Sequence, residues 1–284
     1  MAKKLIPLAI AYDFDGTLAS GNMQEHSFIP NLGMSKQDFW KQVKDHAQKH
    51  DTDEILSYMD IMIHVADLKG VPINKKAFKG HGKDLPLFQG VEDWFGRISK
   101  YGKSKGIKVS HFIISSGLRE IIQGTAIGRK FNFIFASGFR YDQNNVAKWP
   151  GLAINYTTKT QYLFRINKGI MNSYENEKVN KYIPDAERPV PFSNMIYIGD
   201  GATDIPCMKV VTLQGGYAIA VYDPNKRSSP NRTSPKEKCM KLLEQGRAKY
   251  ALPADYREDK KLDQLIKTII DRVVAECSLS KLTK

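Results

Sequence analysis

The strongest constraint on this chain is a rhythm of short apolar runs, each ending in a turn or polar cluster and most of them separated by stretches with helical periodicity. The runs cover residues 8–14, 111–114, 131–136, 195–198 and 217–221. Continuous apolar runs of this length suit strands buried on both faces of a parallel sheet. The clearest helix spans residues 260–277, where Leu262, Leu265, Ile266, Ile269, Ile270, Val273, Val274 and Cys277 follow the i, i+3, i+4, i+7 rule. Strands alternating with amphipathic helices imply an α/β fold: a doubly wound, Rossmann-like, mostly parallel sheet that binds ligands at the carboxyl ends of its strands.

Residues 19–86 break this rhythm and read as helices without strands. Ser35 followed by Asp38 is a variant capping box opening a helix towards His50, and Thr52 can cap a second whose Ile55, Leu56, Met59, Ile63 and Ala66 share a face. Residues 80–86 read as an exit linker, and residues 91–98 resume a core helix. The expected division is therefore a core of residues 1–18 and 87–284 with an all-helical cap of residues 19–86 inserted over the carboxyl ends of the strands. Residues 228–235 read as a loop within the core.

Charge needs locating before it is interpreted. The 284 residues carry a net +13, none of it in residues 1–88, with +6 in residues 89–225 and +7 in residues 226–284. Acidic residues interrupt every basic stretch, unlike a nucleic-acid footprint, which clusters Lys and Arg on one face with aromatic residues between them. Cys207, Cys239 and Cys277 have no paired spacing, which argues against a disulfide framework and suits a reducing compartment such as the cytoplasm. Lys3, Lys4 and the apolar run after them imitate a signal peptide, but cleavage after Ala11 would remove the first strand. No apolar stretch approaches the length of a membrane span.

The chemistry gathers at three strand ends. Asp13-Phe14-Asp15-Gly16-Thr17 places two carboxylates at the end of a buried strand, and Gly199-Asp200-Gly201-Ala202-Thr203-Asp204 follows another. Parallel strands bring these ends together, so Asp13, Asp15, Asp200 and Asp204 can face one another. Such a set repels itself without a cation, and oxygen-only ligands favour Mg²⁺ over zinc. The third strand ends in Ser115-Ser116-Gly117, supplying a hydroxyl and a helix start suited to an anion.

On these motifs the chain resembles the haloacid dehalogenase superfamily of hydrolases, in particular its phosphoserine-phosphatase-like branch. Residues 13–17 match the family's Asp-x-Asp-Gly-Thr, Ser115 its strand-ending Ser or Thr, residues 199–204 its Gly-Asp-Gly-x-x-Asp, and the helical insertion falls where the family places its cap. The resemblance implies a Mg²⁺-dependent phosphatase acting on a small phosphorylated metabolite. Asp13 would attack phosphorus to form an aspartyl-phosphate, and Asp15 would serve as general acid and base. Mg²⁺ would be held by the Asp13 carboxylate, the Asp15 carbonyl and Asp200, with Asp204 a ligand or in the outer shell. Ser115 would bind a phosphoryl oxygen. The family's charge-neutralising lysine falls on Lys159, which opens a helix 44 residues after Ser115, or on Lys168 at that helix's end; Lys159 is favoured. Retention of the second aspartate separates this chain from dehalogenases, which lack it, and from P-type ATPases, which replace it with threonine. A phosphomutase or phosphotransferase would use the same residues, and a non-catalytic protein contacting RNA or an acidic partner through its basic regions is the reading from another class.

Weaker signals lie beside these. His46 and His50 sit at metal-binding helical spacing without the Glu of a zinc motif, and read as a solvated face. Phe39, Trp40 and Val43 could line a substrate pocket but read as core, Gly215-Gly216 reads as a turn, and Arg119, Arg140 and Arg165 could each contact a substrate anion but read as surface salt-bridge formers.

Overall fold

The computed structural model describes residues 5–226 and 233–282; most of the loop expected at 228–235, and the Lys3-Lys4 pair, lie outside the described residues. The chain enters on β1 (Ile6–Tyr12), then leaves the sheet for α1 (Phe28–Asn31), α2 (Lys36–His50), α3 (Glu54–Lys69) and α4 (Lys75–Gly80). It returns through α5 (Val91–Ser104), β2 (Ile107–Leu118), α6 (Arg119–Gly124), β3 (Phe133–Tyr141) and β4 (Ala147–Leu152). After α7 (Thr158–Lys168) and α8 (Asn176–Asn180) come β5 (Met195–Gly199), α9 (Ile205–Leu213), β6 (Tyr217–Tyr222), α10 (Pro235–Glu244), β7 (Tyr250–Pro253) and α11 (Lys261–Leu282).

These strands form one seven-stranded sheet in the order β4-β3-β2-β1-β5-β6-β7, antiparallel only at β4. The α/β fold expected from the sequence is the fold observed. Chain order runs outward from β1 in both directions, so the strand ends beside β1 open onto a crevice at the switch point. Alternation along β1 splits the core: Leu8, Ile10 and Tyr12 face the layer of α5 and α11, and Ala9 and Ala11 face that of α7 and α9. Two edge strands escaped the sequence reading. β4 contains Pro150 and exposed Trp149, and β7 has only four half-buried residues. Edge position, where an N–H can go unpaired, is what tolerates that proline.

Beneath the first layer runs a buried polar chain. Trp94 Nε1 donates to Tyr12 OH (2.9 Å), which lies 3.0 Å from His111 Nδ1, and His111 Nε2 lies 3.0 Å from Ser99 Oγ. Indole can only donate, so the Tyr12 hydroxyl accepts from it and is free to give its own proton to Nδ1, with a neutral imidazole then donating from Nε2.

In the helical segment, Ser35 caps α2 as expected, accepting from Asp38 N at 3.1 Å. The cap of α3 is Asp53 rather than Thr52: Asp53 Oδ1 accepts from Ile55 N and Leu56 N, and Thr52 Oγ1 bonds Ser57 Oγ instead. The buried face of α3 carries Tyr58, Met59, Met62, Val65 and Ala66, and Leu56 is 41% exposed. Connections to the sheet run side by side, with Ser20 N donating to Pro86 O (3.1 Å) and Phe88 N to Leu18 O (2.9 Å). At the far end, Lys75 N donates to Asn145 O (3.1 Å), Ala147 N to Ile73 O (3.0 Å), and Phe78 stacks on Phe139. The segment expected as a linker, residues 80–86, is packed: a Cβ on Gly82 would lie 2.0 Å from Ile121 O, and one on Gly124 1.9 Å from Lys79 O.

Candidate active site

The turn after β1 brings the two acidic motifs into contact. Gly16 has φ of 73°, and a Cβ there would fall 2.2 Å from Asp200 Oδ2, so only glycine permits the approach. Asp13, Asp200 and Asp204 each offer an oxygen within 4.8 Å of the others. Lys159, in the first turn of α7, reaches into this cluster with Nζ 3.1 Å from Asp13 Oδ1, 2.8 Å from Asp204 Oδ1 and 3.3 Å from Thr203 Oγ1. Lys159, Asp204 and Ser115 are fully buried, and Asp13 nearly so. Lys168 lies about 14 Å further along the helix axis at 1.5 Å per residue. Its ammonium donates to the carbonyls of Val179 and Lys181.

Asp204 has its carboxylate fully engaged. Oδ1 accepts from Lys159 and from Tyr197 OH (2.6 Å), and Oδ2 from the amides of Asp200 (3.2 Å) and Gly201 (3.1 Å). Its role in these contacts is to hold the second acidic loop against Lys159. Asp15 stands apart from the trio, with Oδ1 accepting from Met23 N at 2.9 Å. Ser115 Oγ accepts from Gly117 N at 3.0 Å at an irregularity where the β2–β3 register shifts, leaving its own proton to donate.

Burial is the largest influence on the acids. It pushes the Asp13 carboxyl up to about 7, with the charge of Asp204 adding to the effect and Lys159 opposing it. Asp15 is raised well above the carboxylate range by burial and by Asp13, and Asp200 by burial, Asp204 and Asp13. Burial works to lower the Lys159 ammonium, but Asp13 and Asp204 outweigh it and hold the charge in place. One ammonium among three carboxylates leaves the cluster short of positive charge. Its donors are all oxygen, which fits a hard divalent cation.

Two of these contacts were not read from the sequence. Tyr197 lies within a buried strand where an aromatic residue is unremarkable, and Thr203 is an unassigned position inside the second acidic motif. Among the weaker signals, Arg165 is not at the surface: it is buried and donates to Asn172 O, Ser173 O and Asn176 Oδ1. Arg119 donates to Ala136 O, and Arg140 is exposed on β3. The His46 and His50 rings lie tilted to one another with centroids 4.7 Å apart, and His46 bonds Ser57 Oγ.

The model of the haloacid dehalogenase-like hydrolases matches residues 10–209, a span that contains every residue of this cluster. The chain belongs to that family of enzymes. An uncharacterized protein of Borreliella burgdorferi is 27% identical over 228 residues, covering 72% of this chain and 78% of that protein. A solved hydrolase of the same family from Salmonella enterica serovar Typhi superposes with a TM-score of 0.50 at 22% identity, over 78% of this chain and 64% of its own. A phosphoserine phosphatase solved as a phospho-aspartyl intermediate analogue gives 0.52 at 15% identity, over 93% and 99%. At such identities the two structural likenesses speak for the fold.

Proposed function

We propose that this chain is a Mg²⁺-dependent phosphatase that hydrolyses a small phosphomonoester in the cytoplasm through an aspartyl-phosphate. The observation that carries this reading is the Asp13 carboxylate at the switch-point crevice, held by the Lys159 ammonium and flanked by Asp15 and Ser115. Asp13 attacks phosphorus as the ester P–O bond breaks, and Asp15 gives its proton to the departing oxygen. Burial and the neighbouring Asp13 raise the Asp15 carboxyl well above the usual carboxylate range, which suits it to this first step. Asp15 then takes a proton from water, which attacks the aspartyl-phosphate, releasing inorganic phosphate and restoring Asp13. Ser115 donates to a phosphoryl oxygen, and Lys159 neutralises charge on Asp13.

The Asp13 and Asp200 carboxylates and the Asp15 carbonyl would hold Mg²⁺, with Asp204 fixing the loop behind them. When bound, the cation offsets repulsion between carboxylate and phosphate dianion. Residues 19–86 act as a cap, whose Tyr58 donates to Ser116 O at the end of β2, and a cap over the strand ends favours a small metabolite over nucleic acid. Purified protein with Mg²⁺ should hydrolyse an aryl phosphate, EDTA should remove the activity, and Asp13→Asn should lower kcat on the order of 10³-fold or more. Full activity in Asp13→Asn overturns the mechanism.

A further inference from the structure

Beside Asp15 lies a group of buried polar side chains that the chemistry above does not use. Tyr58 of α3 is 2% exposed and reaches down to donate from its hydroxyl to Ser116 O at 2.7 Å. Its ring packs edge-on against Trp40. The side chains of Gln24 and Ser137 lie beside the same hydroxyl, as does the Asp15 carboxylate. Gln24 directly follows Met23, whose amide holds Asp15 Oδ1. The other Asp15 oxygen faces Gly117, where a Cβ would lie 3.1 Å from it. Gln24, Tyr58, Ser116 and Gly117 therefore form a ring beside Asp15, the proton donor of the proposed reaction.

Within that ring, Gln24 is 2% exposed and its Oε1 has no hydrogen-bond partner, and neither does Ser116 Oγ. A buried carbonyl without a donor is costly, and a ligand that supplies one removes the cost. We propose that Gln24 determines substrate specificity by accepting a hydrogen bond from the leaving group, so that the preferred substrates are alkyl phosphates bearing a hydroxyl or ammonium group close to the ester oxygen. Tyr58 is the positioning residue that orients the Gln24 amide. This inference rests on the phosphatase reading and adds to it the chemistry of the leaving group.

The test compares kcat/KM for glycerol 3-phosphate, O-phosphoethanolamine and n-propyl phosphate in the presence of Mg²⁺. The wild type should favour at least one donor-bearing substrate over n-propyl phosphate by roughly 10-fold or more. Gln24→Met, of similar shape, should bring that ratio to about 1 by losing only the donor-bearing substrate, and the better of the two probes tells hydroxyl from ammonium. Tyr58→Phe, which keeps the ring, should reduce the same ratio while leaving KM for n-propyl phosphate in place. The proposal is overturned by an absent wild-type preference, by an unchanged ratio in both variants, or by an equal loss on all three substrates. Wild-type inactivity on all three together with an aryl phosphate overturns the phosphatase reading beneath it, whereas aryl phosphate turnover without discrimination overturns this inference alone.

Discussion

Lys159 sits with no solvent exposure between Asp13 and Asp204, and the loop of the second acidic motif is tied to it through Asp204. Removing one partner of a buried ion pair leaves the other charge uncompensated and costs about 3–5 kcal/mol. Lys159→Met should therefore shift the urea midpoint strongly and abolish aryl phosphate turnover together. Lys168→Met loses only bonds to two backbone carbonyls, so it should cost about 1 kcal/mol and leave turnover in place. Equal effects of the two substitutions on turnover would contradict the assignment of Lys159. Spacing alone left both lysines open because each lies at one end of the same helix. In the fold they point apart: the first turn of α7 brings Lys159 to Asp13, and its last turn brings Lys168 to the carbonyls of Val179 and Lys181 around the end of α8.

Elements show a similar division. Helix α2 and its Ser35 cap were legible because capping is local, involving atoms three residues apart. The buried face of α3 was read in part wrongly, because which side of a helix meets the sheet depends on partners distant in sequence. The close approach of α4 to α6 could not be read at all, since it depends on two glycines, Gly82 and Gly124, separated by a strand and a helix. Gly124→Ala should destabilise the fold by about 1–3 kcal/mol, because its Cβ meets backbone that cannot retreat. Gly96→Ala is the contrast: at an exposed position of helix α5, with open space at the Cβ, it should stabilise by about 0.5–1 kcal/mol. Thermal melts of the two variants should move in opposite directions.

At the scale of the whole molecule, the buried chain through Tyr12, His111 and Ser99 makes stability depend on pH. Burial holds the His111 imidazole down to about 4 in the folded chain, against 6.5 as its ordinary value. Between these values the unfolded chain binds a proton that the folded chain refuses. This contribution is thus complete above pH 6.5 and is lost as pH falls towards 4, by about 3 kcal/mol in all. Urea melts across that window should show the loss, and His111→Gln should flatten the slope. An unchanged slope would place the acid sensitivity elsewhere. Among the described residues, no helix is long and apolar enough to cross a membrane.

The α/β class, the central strands and the three acidic or hydroxyl-bearing strand ends are legible in the chain's local pattern. These follow from periodicity and from short motifs whose residues are neighbours along the chain. Packing between elements is what brings Lys159 to Asp13, Tyr197 to Asp204, and Tyr58 of α3 to the end of β2. Each of those contacts joins residues far apart in the chain or on different elements, where distance is fixed by how layers pack and no local pattern records it.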